Sequence, residues 1–144
     1  MKKLLAVVTI PLLLSACSNN GQDMASTITI EDLQHHNWIL TKIDNDTVVT
    51  PAKMTPPNLE IGEKMTANGN AGCNNFFGQA ELKNNQFRIE KMGMTMKMCI
   101  GDVMQTEMTF SQSLSDWSDI TLTKDMLILK NKAHKLTFSL SDWK

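Results

Sequence analysis

Methionine recurs at every second position just before a cysteine in this chain. The four residues are Met92, Met94, Met96 and Met98, and Cys99 follows them. In a strand, residues two apart share one face, and thioether sulfur is a soft ligand that suits Cu(I), so a copper site on this face is one interpretation. Flexible methionine side chains also fill irregular cores. We favour core packing and expect no metal ion or other cofactor.

The N-terminal residues predict export from the cytoplasm. Lys2 and Lys3 precede an apolar run from residue 4 to residue 14. A basic start, a short apolar core and small residues before a cleavage point define a secretory signal. The run is too short for a transmembrane helix, which needs about 20 residues.

The end of this leader carries a candidate modification site. Leu14-Ser15-Ala16-Cys17 resembles the bacterial lipobox. The resemblance implies that residues 1–16 are removed and that Cys17 receives fatty acyl chains such as palmitate. Ser18 after the cysteine, in place of Asp, implies sorting to the outer membrane, with residues 17–27 as a flexible tether and the domain facing the periplasm. An ordinary signal peptide with an incidental cysteine is the alternative.

The remaining two cysteines, Cys73 and Cys99, would then lie in an oxidising compartment. Disulfides form and persist in such compartments. We expect these two residues to form a disulfide; two free buried thiols are the alternative.

No arrangement of residues in the sequence predicts catalysis. The chain contains no tyrosine, no His-Glu-x-x-His motif and no phosphate-binding glycine loop. The three histidines, His35, His36 and His134, are too scattered for a convincing metal site. We therefore expect a protein that is not an enzyme.

The charge of the chain limits its partners. After removal of the leader, 12 basic and 15 acidic side chains remain, a formal charge of −3. The sequence has no basic cluster, so we expect no nucleic acid partner, and the acyl chains would provide the membrane attachment. We expect a monomer.

The pattern of apolar residues predicts an α+β domain over residues 28–144. Seven or eight short segments alternate like strands, as in Lys135 to Leu140, where Leu136, Phe138 and Leu140 share one face. Asp102 to about Leu114 instead shows helical spacing. Short connections favour antiparallel pairing, so we expect a curved antiparallel sheet or partial β-barrel packed on one main helix.

The segment Gly72-Cys73-Asn74-Asn75-Phe76-Phe77-Gly78 resembles the glycine-cysteine-asparagine signature of the META domain family. Residues 95–99 and the helix that follows resemble the second half of that signature. The motif residues carried over are Gly72, Asn74, Gly78, Thr95 and Glu107, to which we assign a structural role. In this sequence Met96, rather than a basic residue, follows Thr95.

The family resemblance implies an antiparallel sheet around one helix, induction by heat or by antibiotics of the novobiocin type, and no demonstrated catalysis. We expect an envelope protein as partner, bound through an exposed sheet edge or the face that carries the methionines. Two alternatives are a carrier or sensor of a small apolar ligand or lipid held between sheet and helix, and soft-metal binding by the methionines.

Overall fold

Strands of alternating apolar and polar residues form a closed antiparallel barrel in the computed structural model, which describes residues 27–142. The ring strands are β1 (His36–Ile43), β3 (Asn58–Ile61), β4 (Thr66–Asn70), β5 (Asn75–Lys83), β6 (Gln86–Met94), β7 (Ser118–Leu122), β8 (Met126–Lys130) and β9 (Lys135–Leu140). The short β2 (Asp46–Thr47) and the helix α1 (Asp102–Ser115) complete the fold, with a 3₁₀ turn at Glu63–Met65. The predictions for Cys17, the leader and most of the tether lie outside the described residues.

The ring closes because its last strand pairs with its first. Trp38 in β1 lies opposite Leu59 of β3 on one edge and opposite Leu140 of β9 on the other. The predicted antiparallel sheet with one helix is confirmed, but the barrel is closed rather than partial, and the domain is mostly β. Alternation along single strands could not reveal the closure, because β1 and β9 lie at opposite ends of the domain in sequence.

Closure leaves little open sheet edge in the described part of the chain. The strands of the ring are paired on both sides, although β6 and β7 pair only through Gln86 and Phe87 of β6. Among the described strands, β2 alone pairs with a single neighbour, at Lys42 and Ile43 of β1.

The barrel interior is filled by the alternate residues of the strands. Leu136 and Phe138 of β9, together with Leu127 and Leu129 of β8, are almost fully buried. Burying a side chain of this size contributes about 1.5–3 kcal/mol relative to leaving it exposed. The interior is therefore a packed core, and its burial holds the ring together.

The two ends of the barrel are closed by different segments. At the end where β1 begins, which we call the N-terminal end, a turn over residues 30–35 buries Leu33. At the other end, which we call the helix end, α1 follows β6 and packs against it. The helix end carries the residues of the family signature.

Phe110 of α1 closes the helix end. Its ring lies 5.9 Å from that of Phe76 in β5 and 6.0 Å from that of Phe138 in β9, measured between ring centroids. In the order of the ring, β5 and β9 lie opposite each other. Phe110 thus spans the interior, and the helix acts as a lid that is continuous with the core.

Candidate functional site

The two halves of the family signature meet at the helix end. Cys73 and Cys99 form a disulfide with their Cα atoms 6.0 Å apart. The bond joins the turn before β5 to the segment between β6 and α1. The predicted pair is therefore bonded in the structure, and both sulfur atoms are committed to a structural link.

Glu107 binds the same turn from the helix. Its Oε2 atom accepts hydrogen bonds from the backbone N–H groups of Cys73 at 3.0 Å and Asn74 at 2.5 Å. Its Oε1 atom accepts a third, from Asn74 Nδ2 at 2.8 Å. The residue is only 6 % exposed. A buried carboxylate is costly unless it is hydrogen-bonded, and these three bonds satisfy Glu107 in place of water.

Asn74 fastens the segment that follows β6. Its Oδ1 atom accepts hydrogen bonds from the Lys97 N–H at 2.7 Å and the Thr95 hydroxyl at 2.8 Å. Its Nδ2 atom also donates to the Lys97 carbonyl at 3.0 Å. One side chain thus binds both backbone groups of Lys97, as a neighbouring strand would. Residues 95–97 are held without belonging to the sheet.

The two signature glycines have different structural reasons. Gly72 has a φ of 130°, and a Cβ there would lie 3.3 Å from the Val103 carbonyl oxygen. Gly78 does not have a positive φ; a Cβ there would lie 2.5 Å from Ile89 Cγ2. The first glycine permits a turn beneath the helix, and the second permits close packing between β5 and β6.

The methionines do not form a single strand face, because β6 ends at Met94. Met92 and Met94 are partly buried and pack against the core. Met96 is 98 % exposed and Met98 is 93 % exposed. Core packing is therefore wrong for the second pair. Local alternation suggested a longer strand, whereas the contacts of Asn74 take the chain out of the sheet after Met94.

Exposed apolar residues continue beyond the methionines. Ile100 is 90 % exposed, so Met96, Met98 and Ile100 form what we call the apolar display. Asn74 binds the backbone of Lys97, between Met96 and Met98, and the disulfide holds Cys99, between Met98 and Ile100; the first turn of α1 follows at Asp102. The display is therefore attached to the domain at three points even though its side chains face solvent.

A cleft of about 440 Å³ lies beside the apolar display. It separates the loop after β2 from the start of α1, and Val49 and Ile100 both line it. Sequence reasoning did not predict this cleft. The signal was the pair of adjacent valines in a segment that ends at a proline, Pro51.

The histidines do not come together in the structure. His35 and His36 lie at the N-terminal end, whereas His134 lies at the helix end, with its Nδ1 atom 2.9 Å from Asp44 Oδ2. The hydrogen bond from His134 is the larger cause, and the hydrogen bond from the Lys135 N–H the smaller one, of a lowered pKa of Asp44, which falls below its ordinary value of 3.8.

Within residues 27–142, no three His, Cys, Asp or Glu side chains are grouped so that they could hold a metal ion. The helix described there is not long and apolar enough to cross a membrane.

The fold and the signature residues together define a class of protein: a closed eight-stranded antiparallel barrel with one helical lid, fastened by a disulfide and a buried carboxylate. The META domain family model matches residues 31–143. The chain belongs to the META domain family.

One curated protein and two solved structures resemble the chain along most of its length. Heat shock protein HslJ of Escherichia coli (strain K12) is 32 % identical over 143 residues, which cover 99 % of this chain and 98 % of that protein. One structure solved by NMR is 31 % identical, with a TM-score of 0.69. The match covers 80 % of this chain and 97 % of the chain in that structure. Another NMR structure, from Burkholderia xenovorans, is 20 % identical, with a TM-score of 0.65. The match covers 98 % of this chain and 97 % of the chain in that structure, and it supports the fold alone.

Proposed function

We propose that this protein is a lipid-anchored, non-enzymatic protein of the bacterial envelope that helps the cell under heat and antibiotic stress by binding another envelope protein. Membership of the META domain family and the similarity to a heat shock protein over nearly the whole chain support the stress role. The extension to antibiotics of the novobiocin type is part of the proposal.

The anchor is proposed from the leader. The lipobox-like segment before Cys17 and the Ser18 that follows support acylation and sorting to the outer membrane, with the domain in the periplasm. Thr27, the last residue of the proposed tether, lines a cleft together with Asn84 and Asn85 of the hairpin between β5 and β6. That hairpin is at the N-terminal end of the barrel, so the tether would join the domain on the side away from the apolar display.

The single observation that carries the binding proposal is the exposure of the apolar display. Met96, Met98 and Ile100 leave nearly all of their surface in water, although their backbone is held by a disulfide and by Asn74. Transfer of apolar surface from water into a contact is favourable, at about 25 cal/mol per Å². A backbone held in this way loses little further conformational entropy when a partner covers it, so the remaining ordering cost is that of the side chains.

A non-catalytic role is supported by the engagement of the reactive groups. Cys73 and Cys99 are bonded to each other, and Glu107 is saturated by hydrogen bonds from the turn it holds. The space between helix and barrel, where an apolar ligand was the alternative, is occupied by the fully buried Phe110 and Leu114. These observations favour binding of a protein partner through the surface.

The test is photo-crosslinking in intact cells, before and after a heat or novobiocin challenge. A photoreactive residue is introduced at Met98, and a matched variant carries it at Met126, at the N-terminal end of β8. We expect one envelope protein to be crosslinked at residue 98 and not at residue 126, with a yield that rises after the challenge. Equal products at both positions would contradict the proposal. Mass spectrometry of the processed N-terminus tests acylation of Cys17 separately.

A further inference from the structure

No described strand pairs with the edge of β2 that faces away from β1. The Val48 N–H donates to the Thr41 carbonyl at 2.9 Å, so the backbone groups of Val48 point towards β1. Alternate residues of an antiparallel strand direct these groups to opposite edges, so those of Thr47 face outward. β1 cannot extend the pairing further, because its Leu40 N–H already donates to the Pro57 carbonyl at 2.8 Å.

The segment that follows β2 is suited to form a strand, but beyond the Val48 N–H bond to Thr41 it forms no ladder with another described strand. Val48 and Val49 are β-branched, a type enriched in strands. Val49 is 83 % exposed, and among the described residues its backbone groups make no hydrogen bond with another segment. An open edge of this kind is where an extended peptide adds a strand to a sheet.

The cleft of about 440 Å³ lies between this segment and the helix and is mostly apolar. Its apolar lining residues are Ile43, Val48, Val49, Pro51, Ile100 and Val103. The charged residues that line it, Asp46 and Asp102, are both acidic and exposed. The cleft therefore offers apolar walls and a negative rim.

We propose that this cleft takes an extended segment of a partner protein that pairs with β2, places an apolar side chain between Val49 and Ile100, and carries basic residues beside Asp46 and Asp102. Main-chain hydrogen bonds would hold the segment, and the acidic rim would select basic over acidic sequences. The inference rests on the proposed function, because it names the chemistry of the partner and the place where it binds.

The test is an NMR titration of the oxidised, non-acylated chain with capped heptapeptides. One alternates lysine with isoleucine, and its matched control alternates glutamate with isoleucine. We expect shift changes confined to residues 46–51 and 100–106, with binding of the acidic peptide about tenfold weaker or more. Asp46→Lys should weaken binding of the basic peptide, while Asp125→Lys at the N-terminal end should not.

Backbone pairing has its own test in peptides methylated on the amide nitrogens. Methylation of the amides on the peptide edge that faces β2 removes the donors for pairing and should abolish binding. Methylation of the amides on the opposite edge should leave the affinity unchanged. Equal effects of the two, equal binding of both charge types, or shifts elsewhere on the barrel would overturn the inference. So would a dimer that Val49→Asp dissociates, because the cleft would then belong to a second copy.

The two proposals fail separately. If the peptides bind as expected but no envelope protein is crosslinked in cells at residue 98, the cleft is a binding site for extended basic segments, and the proposed function is wrong. If crosslinking at residue 98 succeeds while the peptides leave residues 46–51 unchanged, the partner binds through the apolar display alone, and the inference about the cleft is wrong.

Discussion

The Glu107 carboxylate accepts two hydrogen bonds from Asn74, one from the backbone N–H of Asn74 and one from its side-chain amide. The same asparagine side chain binds both backbone groups of Lys97. Helix α1, the turn before β5 and the segment after β6 are thus joined through one buried amide. Because Met96 and Met98 flank Lys97, this pair of residues also determines where the apolar display lies.

Glu107→Gln tests this relationship. The variant keeps the shape but places one NH₂ group among three donors, leaving a buried donor without an acceptor. We expect a loss of about 1–3 kcal/mol in the free energy of unfolding, measured by urea denaturation at neutral pH. The exposed Glu31→Gln is the matched control and should have no effect. A loss no larger than that of the control would show that the carboxylate is dispensable.

The packing role of Gly78 predicts that alanine is tolerated differently at Gly78 and at Gly93, although an added Cβ would lie equally close to a neighbouring side chain at both positions. A Cβ at position 78 would meet Ile89 Cγ2 at 2.5 Å, and one at position 93 would meet Phe77 Cζ at 2.5 Å. Ile89 is buried, whereas Phe77 is 65 % exposed and can swing outward. Gly78→Ala should destabilise by about 1–3 kcal/mol and Gly93→Ala by clearly less. Equal losses in urea denaturation would contradict this account.

The hydrogen bonds on Asp44 predict an effect of pH. Their donors, His134 and the Lys135 N–H, lower the pKa of Asp44 in the folded state below its ordinary value of 3.8. Its stabilising contribution is therefore present above pH 3.8 and is lost as the pH falls through the lowered pKa.

Asp44→Asn should accordingly lower stability at pH 6, and the difference from the unchanged chain should shrink in acid. Asp44 is about half exposed, so solvent screening will keep the effect small. The measurement is the free energy of unfolding at a series of pH values, with Asp125→Asn as the exposed control. A difference that is constant with pH would remove Asp44 as the cause.

The exposure of the display also predicts an order of oxidation. Hydrogen peroxide transfers one oxygen atom to a thioether, and susceptibility follows exposure. Met96 and Met98 should become sulfoxides well before the buried Met65, as read by peptide mass spectrometry after brief treatment. Thermal unfolding should be unchanged, because neither side chain belongs to the core. In urea the three rates should become similar; a difference that persists there would not come from the fold.

Much of this architecture was predictable from local pattern. The alternation over Lys135 to Leu140 gave the bounds of β9, and the helical spacing after residue 102 gave α1, observed at Asp102–Ser115. The pairing of Cys73 with Cys99 followed from the count of cysteines and the expected compartment. Each of these depends on periodicity or number, which are properties that neighbouring residues carry themselves.

Local patterns in the chain predict most of the strands, the helix and the signature residues that carry the family resemblance. Three features could be seen only in the fold: the closure of the sheet, the exposure of Met96 and Met98 to solvent, and the cleft that Val49 and Ile100 both line. The physical reason is that burial and pairing depend on contacts between residues far apart in the chain. A periodic apolar pattern shows which residues can share a face, but not which surface, if any, will cover that face.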